Sequence, residues 1–121
     1  MDLKNERREY TRSTLSKEKL CIDPFDQFRV WIDDVASSSM SDPTAMVLAT
    51  SDSKGRKSQR TVLMKEFSSN GLVFYTNLKS KKAQDIEVSK QVSVLFPWYE
   101  LDRQVQIKGF TEMLDLSLIH I

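Results

Sequence analysis

Apolar positions along the chain follow two rhythms. Residues 1–22 mix charged and hydroxyl side chains with few apolar ones, and then Phe25, Phe28, Trp31 or Ile32, and Val35 recur at helical spacing. Asp23 stands where an N-cap belongs, and Pro24 occupies the first helical position, where its missing N–H costs nothing. The pattern predicts a helix from Pro24 to Ala36, stopped by Ser37-Ser38-Ser39 and Pro43. From Ala45 the rhythm becomes that of strands. Ala45 to Ser51 closes on the turn Asp52-Ser53-Lys54-Gly55, with Ser58 to Lys65 as hairpin partner. A second turn, Ser68-Ser69-Asn70-Gly71, leads into Leu72 to Thr76. Ser80 caps a short helix to Val88, and Gln91 to Phe96 and Arg103 to Thr111 are two further strands. Gly109 interrupts the apolar alternation of the last strand and is a candidate bulge.

These elements describe an α+β domain whose meandering antiparallel sheet curls toward a partial barrel. Residues 1–22 cannot support a core and form a flexible N-terminal arm; residues 23–121 form the domain. The stretch from Leu114 to Ile121 is apolar and has no cap or turn. The domain is therefore expected to be cut off there, leaving Arg103 to Thr111 or a neighbour as an unpaired edge with the apolar end exposed beside it.

Charge narrows the function. Eighteen Lys and Arg against 17 Asp and Glu leave a net charge of +1, which gives no overall field for nucleic acid or an anionic membrane. An anion site has to be built locally. A single cysteine, Cys21, and a single histidine, His120, provide neither an intramolecular disulfide nor a metal-ligand cluster, and they argue against a histidine triad. No apolar run approaches the ~20 residues of a membrane helix. A soluble protein of the cytoplasm is the expectation.

Two clusters carry candidate chemistry. Arg60 and Lys65 bracket an otherwise apolar or neutral strand, and five residues apart they fall on opposite faces, so joint use requires a bulge or a backbone contact. Strand-end charges that keep an edge soluble would look the same. From Thr76 a strand runs into a helix start bearing Lys79, Lys81 and Lys82 beside the capping Ser80. Lysines in a first turn oppose the macrodipole, and a phosphate or carboxylate placed there would neutralise both. A solvated lysine cluster is equally compatible. The run Phe96-Pro97-Trp98-Tyr99 fits core or dimer packing better than a cofactor box, whereas Gln104 projects outward, where its amide could meet a heterocycle.

Several motifs in a fixed order extend this reading: RREYT at Arg7 to Thr11, DPFDQF at Asp23 to Phe28, DPTAMVLAT at Asp42 to Thr50, QRTVLMK at Gln59 to Lys65, FYTNLKSKKA at Phe74 to Ala83, VSVLFPW at Val92 to Trp98 and RQVQIKG at Arg103 to Gly109. Together they resemble the pyridoxine (pyridoxamine) 5'-phosphate oxidase family of flavoproteins. The resemblance implies an antiparallel split β-barrel that forms a homodimer and holds FMN between two subunits. Its flavin contacts fall on Arg60, Thr61, Val62, Leu63, Lys65, Tyr75, Thr76, Lys81, Lys82 and Gln104, and its substrate contacts on Arg7, Tyr10 and Lys65. The implied activity is oxidation of pyridoxamine or pyridoxine 5'-phosphate to pyridoxal 5'-phosphate, with dioxygen as acceptor and no side chain needed as a general base. This chain has Ser80-Lys81-Lys82 where many relatives read Ser-Arg-Lys, which keeps charge but loses the guanidinium fork. Relatives also run to nearly twice this length, and agreement fades after Gly109. A non-catalytic FMN-binding or dimerisation module is the alternative. A barrel for single-stranded nucleic acid is disfavoured by the charge balance.

Overall fold

The computed structural model describes residues 3–5, 16–77, 79–114 and 118–120. Asp23 acts as the cap its position suggests: its backbone is extended and its Oδ1 accepts from the Phe25 N–H at 2.8 Å, so helix α1 spans Pro24–Ala36. The stripe from α1 places Phe28 and Val35 in the core, with Trp31 and Ile32 packed at its margin. Strands β1 (Ala45–Ser51), β2 (Lys57–Ser68) and β3 (Gly71–Tyr75) follow, then helix α2 (Lys81–Val88) and strands β4 (Gln91–Phe96), β5 (Val105–Phe110), β6 (Glu112–Met113) and β7 (Leu118–His120). Between β1 and β2 the Asp52 carboxylate accepts from the backbone of Lys54 and Arg56 and from Arg56 Nε, and Gly55 takes the left-handed conformation that the turn needs.

The sheet order is β5-β4-β1-β2-β3-β7-β6, and every adjacent pair is antiparallel. β5 and β6 stand at opposite ends of that order yet only Thr111 separates them in sequence, so the sheet must curl until its ends meet. Thr111 is itself tied to the Lys90 carbonyl through its N–H and hydroxyl, at 2.9 and 3.2 Å. β2 makes the bend possible. Its first half, Lys57 to Leu63, pairs with β1, its second half, from Met64, pairs with β3, and the register slips between Met64 and Glu66.

That slip corrects one expectation. The bulge lies at Lys65, not at Gly109, where β4 and β5 pair without interruption from Gln91 opposite Phe110 to Phe96 opposite Val105. Gly109 keeps the alternation, occupying an inward position after Val105 and Ile107. The physical demand is in β2, where Met64 and Phe67 must both face the core although two residues, Lys65 and Glu66, lie between them rather than one. The chain end is a second correction. The sequence leads one to expect Leu114 to Ile121 exposed beside an unpaired edge, Arg103 to Thr111 or a neighbour, but Leu118 to His120 pairs with β3 and β6 and so satisfies the backbone edge that β3 would otherwise present.

The concave side is filled by Met46, Leu48, Val62, Met64, Leu72, Phe74, Val94 and Phe96 from the sheet and by Phe28 and Val35 from α1. Phe96 and Trp98 belong to this core: Trp98 is fully buried, its Nε1 donates to the Pro43 carbonyl at 3.0 Å, and its ring lies 5.3 Å from Phe96 and 5.7 Å from Phe28. α2 packs against β1 and contributes Ala83 and Ile86 to the interior.

Candidate functional site

The site is organised by the start of α2. Ser80 caps the helix through its Oγ, which accepts from the Ala83 N–H at 3.3 Å, and the hydroxyl of buried Thr76 lies 3.4 Å from the same oxygen. The first turn holds no acid, only Lys81 and Lys82. One turn on, Asp85 answers them. Its carboxylate oxygens stand 3.2 and 3.3 Å from Lys81 Nζ.

Because α2 lies on β1, the Asp85 side chain points at the sheet, where it is 4% exposed. There Thr50 Oγ1 donates to Asp85 Oδ2 at 2.8 Å. Arg60, on the inner face of β2, donates from one guanidinium nitrogen to Thr50 Oγ1 at 2.7 Å and to the Leu48 carbonyl at 3.2 Å, while its other terminal nitrogen stands 3.9 Å from Asp85 Oδ2. Desolvation pulls the Arg60 pKa below its ordinary value and the charge of Asp85 pushes it back up. Arg60 and Lys81 therefore converge on one buried carboxylate. Neither Asp85 nor Thr50 stood out in the sequence. The spacing of Lys81 and Asp85 on one helix was a usable signal for the first; nothing local marks the second, whose contact spans 35 residues.

A second group lies on the outer face. Thr61, Leu63 and Lys65 are exposed there, and Lys65 Nζ sits 5.8 Å from the centre of the exposed Tyr75 ring. The bulge does not swing Lys65 inward; it restores Phe67 to the core. Arg60 and Lys65 thus remain on opposite faces. Val62 is buried, so only its backbone faces neighbours outside the core.

Between the groups β2 has an open backbone edge. Met64 N–H bonds to the Thr44 carbonyl on the β1 side, so by antiparallel alternation Val62, Arg60 and Ser58 also turn their peptide groups toward β1. Gln59 and Thr61 turn theirs the other way. The pairing with β3 ends at Met64 opposite Phe74, and among the described residues no strand faces them on that side. Gln104 stands apart from both groups: it is exposed just before β5, with β4 and β1 between it and β2 in the sheet order, and it lines a groove of about 370 Å³ with Gln27, Phe28 and Trp31. Arg7 and Tyr10 lie outside the described residues.

Residues 32–116 match the family model described as pyridoxamine 5'-phosphate oxidase. The chain belongs to the pyridoxamine 5'-phosphate oxidase family. It is 49% identical over 108 residues to the pyridoxine/pyridoxamine 5'-phosphate oxidase of Shewanella pealeana, an alignment covering 89% of this chain and 51% of that relative. The chain thus spans about half the length of the curated relatives it matches. Among solved structures, PhzG from Burkholderia lata 383, in complex with tetrahydrophenazine-1-carboxylic acid, superposes with a TM-score of 0.78 at 25% identity over 84% of this chain and 52% of that one. A pyridoxamine 5'-phosphate oxidase-related, FMN-binding protein from Nostoc punctiforme gives a TM-score of 0.65 at 20% identity, covering 77% and 48% of the two chains. The oxidase-family fold expected from the motifs, an antiparallel split barrel, is the fold found.

Proposed function

We propose that this chain binds FMN and takes part in oxidising pyridoxamine or pyridoxine 5'-phosphate to pyridoxal 5'-phosphate, with dioxygen as acceptor. The observation that carries the reading is the convergence of Arg60 and Lys81 at the start of α2, next to the open edge of β2, in a chain of this family. The donor set suits a flavin phosphate. Three cations, Arg60, Lys81 and Lys82, stand against one carboxylate, Asp85, at a helix start with no acid in its first turn.

Arg60, Lys81 and Lys82 would hold the phosphate, with Thr76 closing the pocket floor. The outward-turned peptide groups of Thr61 would meet the polar edge of the ring, with Val62 and Leu63 flanking them along the strand and Tyr75 beside them. Gln104, distant from these groups within one chain, would serve the flavin of a second copy in a homodimer. Lys65, on the outer face, would face the substrate together with Arg7 and Tyr10 from the arm of residues 1–22, which precedes the barrel domain of residues 23–121. Bound flavin supplies the two-electron redox chemistry; the protein contributes charge, orientation and exclusion of water. Among the described residues no helix is long and apolar enough to cross a membrane, and we place the activity in the cytoplasm.

The test is an FMN titration followed by fluorescence quenching, then peroxide release on adding pyridoxamine 5'-phosphate. Quenching with turnover is expected. Quenching without peroxide would leave the non-catalytic FMN-binding module as the better reading, and absence of quenching at millimolar FMN would refute the cofactor assignment.

A further inference from the structure

Among the described residues Asp85 is the one charged side chain in the buried set, and it lies beyond the Phe74 to Ala83 motif. A carboxylate removed from water is costly unless every oxygen finds a donor, and Asp85 has found three neighbours: Thr50, Lys81 and, at longer range, Arg60. Thr50 gives the arrangement a direction. A hydroxyl has one proton, and a carboxylate can only accept, so the proton of Thr50 points at Asp85 and its lone pairs face the Arg60 guanidinium 2.7 Å away. The charge of Asp85 is thereby relayed through Thr50 to the guanidinium, and it folds Lys81 back along α2 directly.

We propose that Asp85 is a positioning residue: through Thr50 it sets Arg60, and by direct contact it sets Lys81, so that the pair is pre-arranged for a phosphate and the site distinguishes FMN from riboflavin. The inference rests on the FMN reading above. Preorganisation matters because arginine and lysine are the side chains with most rotamer freedom to lose on gripping a ligand. Asp85 does not compete with the phosphate, because it lies behind the two cations at 4% exposure, with Thr50, only 2% exposed, sealing its other side.

The experiment measures FMN and riboflavin affinities side by side. Riboflavin shares the ring but lacks the phosphate, so a general loss of folding lowers both affinities, whereas loss of the pre-arranged cations lowers only that of FMN. In Asp85→Asn and in Thr50→Val the preference for FMN is expected to fall about tenfold, the size of one charge-assisted contact, with riboflavin affinity within about twofold of wild type. Thr50→Ser keeps the relaying hydroxyl and is expected to keep the preference. If Asp85→Asn does not fold, the Thr50 pair decides alone. An unchanged or increased preference in folded Asp85→Asn, or a wild-type preference in Thr50→Val, overturns the inference. Wild-type protein that binds FMN no better than riboflavin removes the phosphate reading and this inference with it, whereas a strong wild-type preference that no variant alters removes this inference alone.

Discussion

Replacing Arg60 by alanine tests whether one guanidinium both braces the fold and serves the ligand. The substitution deletes hydrogen bonds to Thr50 Oγ1 and Leu48 O and leaves Asp85, whose side chain is 5% exposed, to be balanced by Thr50 and by Lys81, whose side chain is 59% exposed and screened by water. Breaking a fully buried ion pair by removing one partner costs about 3–5 kcal/mol. Here the ionic contact is long, at 3.9 Å, and Arg60 keeps 23% of its side-chain surface, so about 2–3 kcal/mol is the expected loss. With a urea dependence of about 1–3 kcal/mol per molar for a small protein, the unfolding midpoint of the ligand-free chain should drop by roughly 0.7–3 M. Tryptophan fluorescence reports it, since Trp98 is buried and Trp31 is partly buried at the core margin. Lys82→Ala, which removes a first-turn lysine of α2, should leave that midpoint unchanged yet weaken FMN roughly tenfold. An Arg60→Ala protein with a wild-type midpoint would refute the bracing argument, whatever its affinity for flavin.

Two further outcomes follow from other parts of the molecule. Hydrogen bonds from the Arg56 side chain and backbone hold the Asp52 carboxyl at about 2, below its ordinary 3.8, so its contribution to the β1–β2 turn is complete above pH 3.8 and is lost as pH falls through about 2; carboxyl-carbon NMR should show that midpoint, and Arg56→Ala should raise it. An unmoved midpoint in the variant would break the assignment. Lys65→Ala should spare FMN affinity more than turnover of pyridoxamine 5'-phosphate, because Lys65 stands on the outer face away from the Arg60 cluster; equal losses in both would place it at the cofactor instead.

Locally encoded features were legible in the sequence. The Asp23-Pro24 start and the serine run set α1 at its observed bounds, Ser80 set the start of α2, and β1 and β4 begin and end where their alternation does. What failed was non-local. A glycine at position 109 suggested a bulge, although the tell-tale was the two-residue gap between Met64 and Phe67, which has meaning only once both are known to face α1 and the core. The pairing of Leu118 to His120 with β3 likewise depends on an edge built some 45 residues earlier in the chain. At the site, lysine placement around Ser80 was readable because it belongs to one helix turn, and Gln104 is exposed as its alternation indicated. The Arg60 environment was not readable. Its bonds to Thr50 and Leu48 come from the hairpin register and its ionic contact from a helix 25 residues away, so a residue that could pass for a strand-end charge is half-buried among acceptors.

The divided allegiance of β2 also gives the strand an uneven lifetime against solvent. Ser58, Arg60 and Val62 direct their amides into the ladder with β1, while Gln59 and Thr61 direct theirs into the notch where β3 has already turned away toward α2. Amide deuteration should therefore run along this stretch with a two-residue beat, slow at 58, 60 and 62 and fast at 59 and 61, read by NMR on the ligand-free chain. A ring docked on the notch would erase the beat without touching the slow amides, so the strand carries its own gauge of occupancy, independent of colour or turnover.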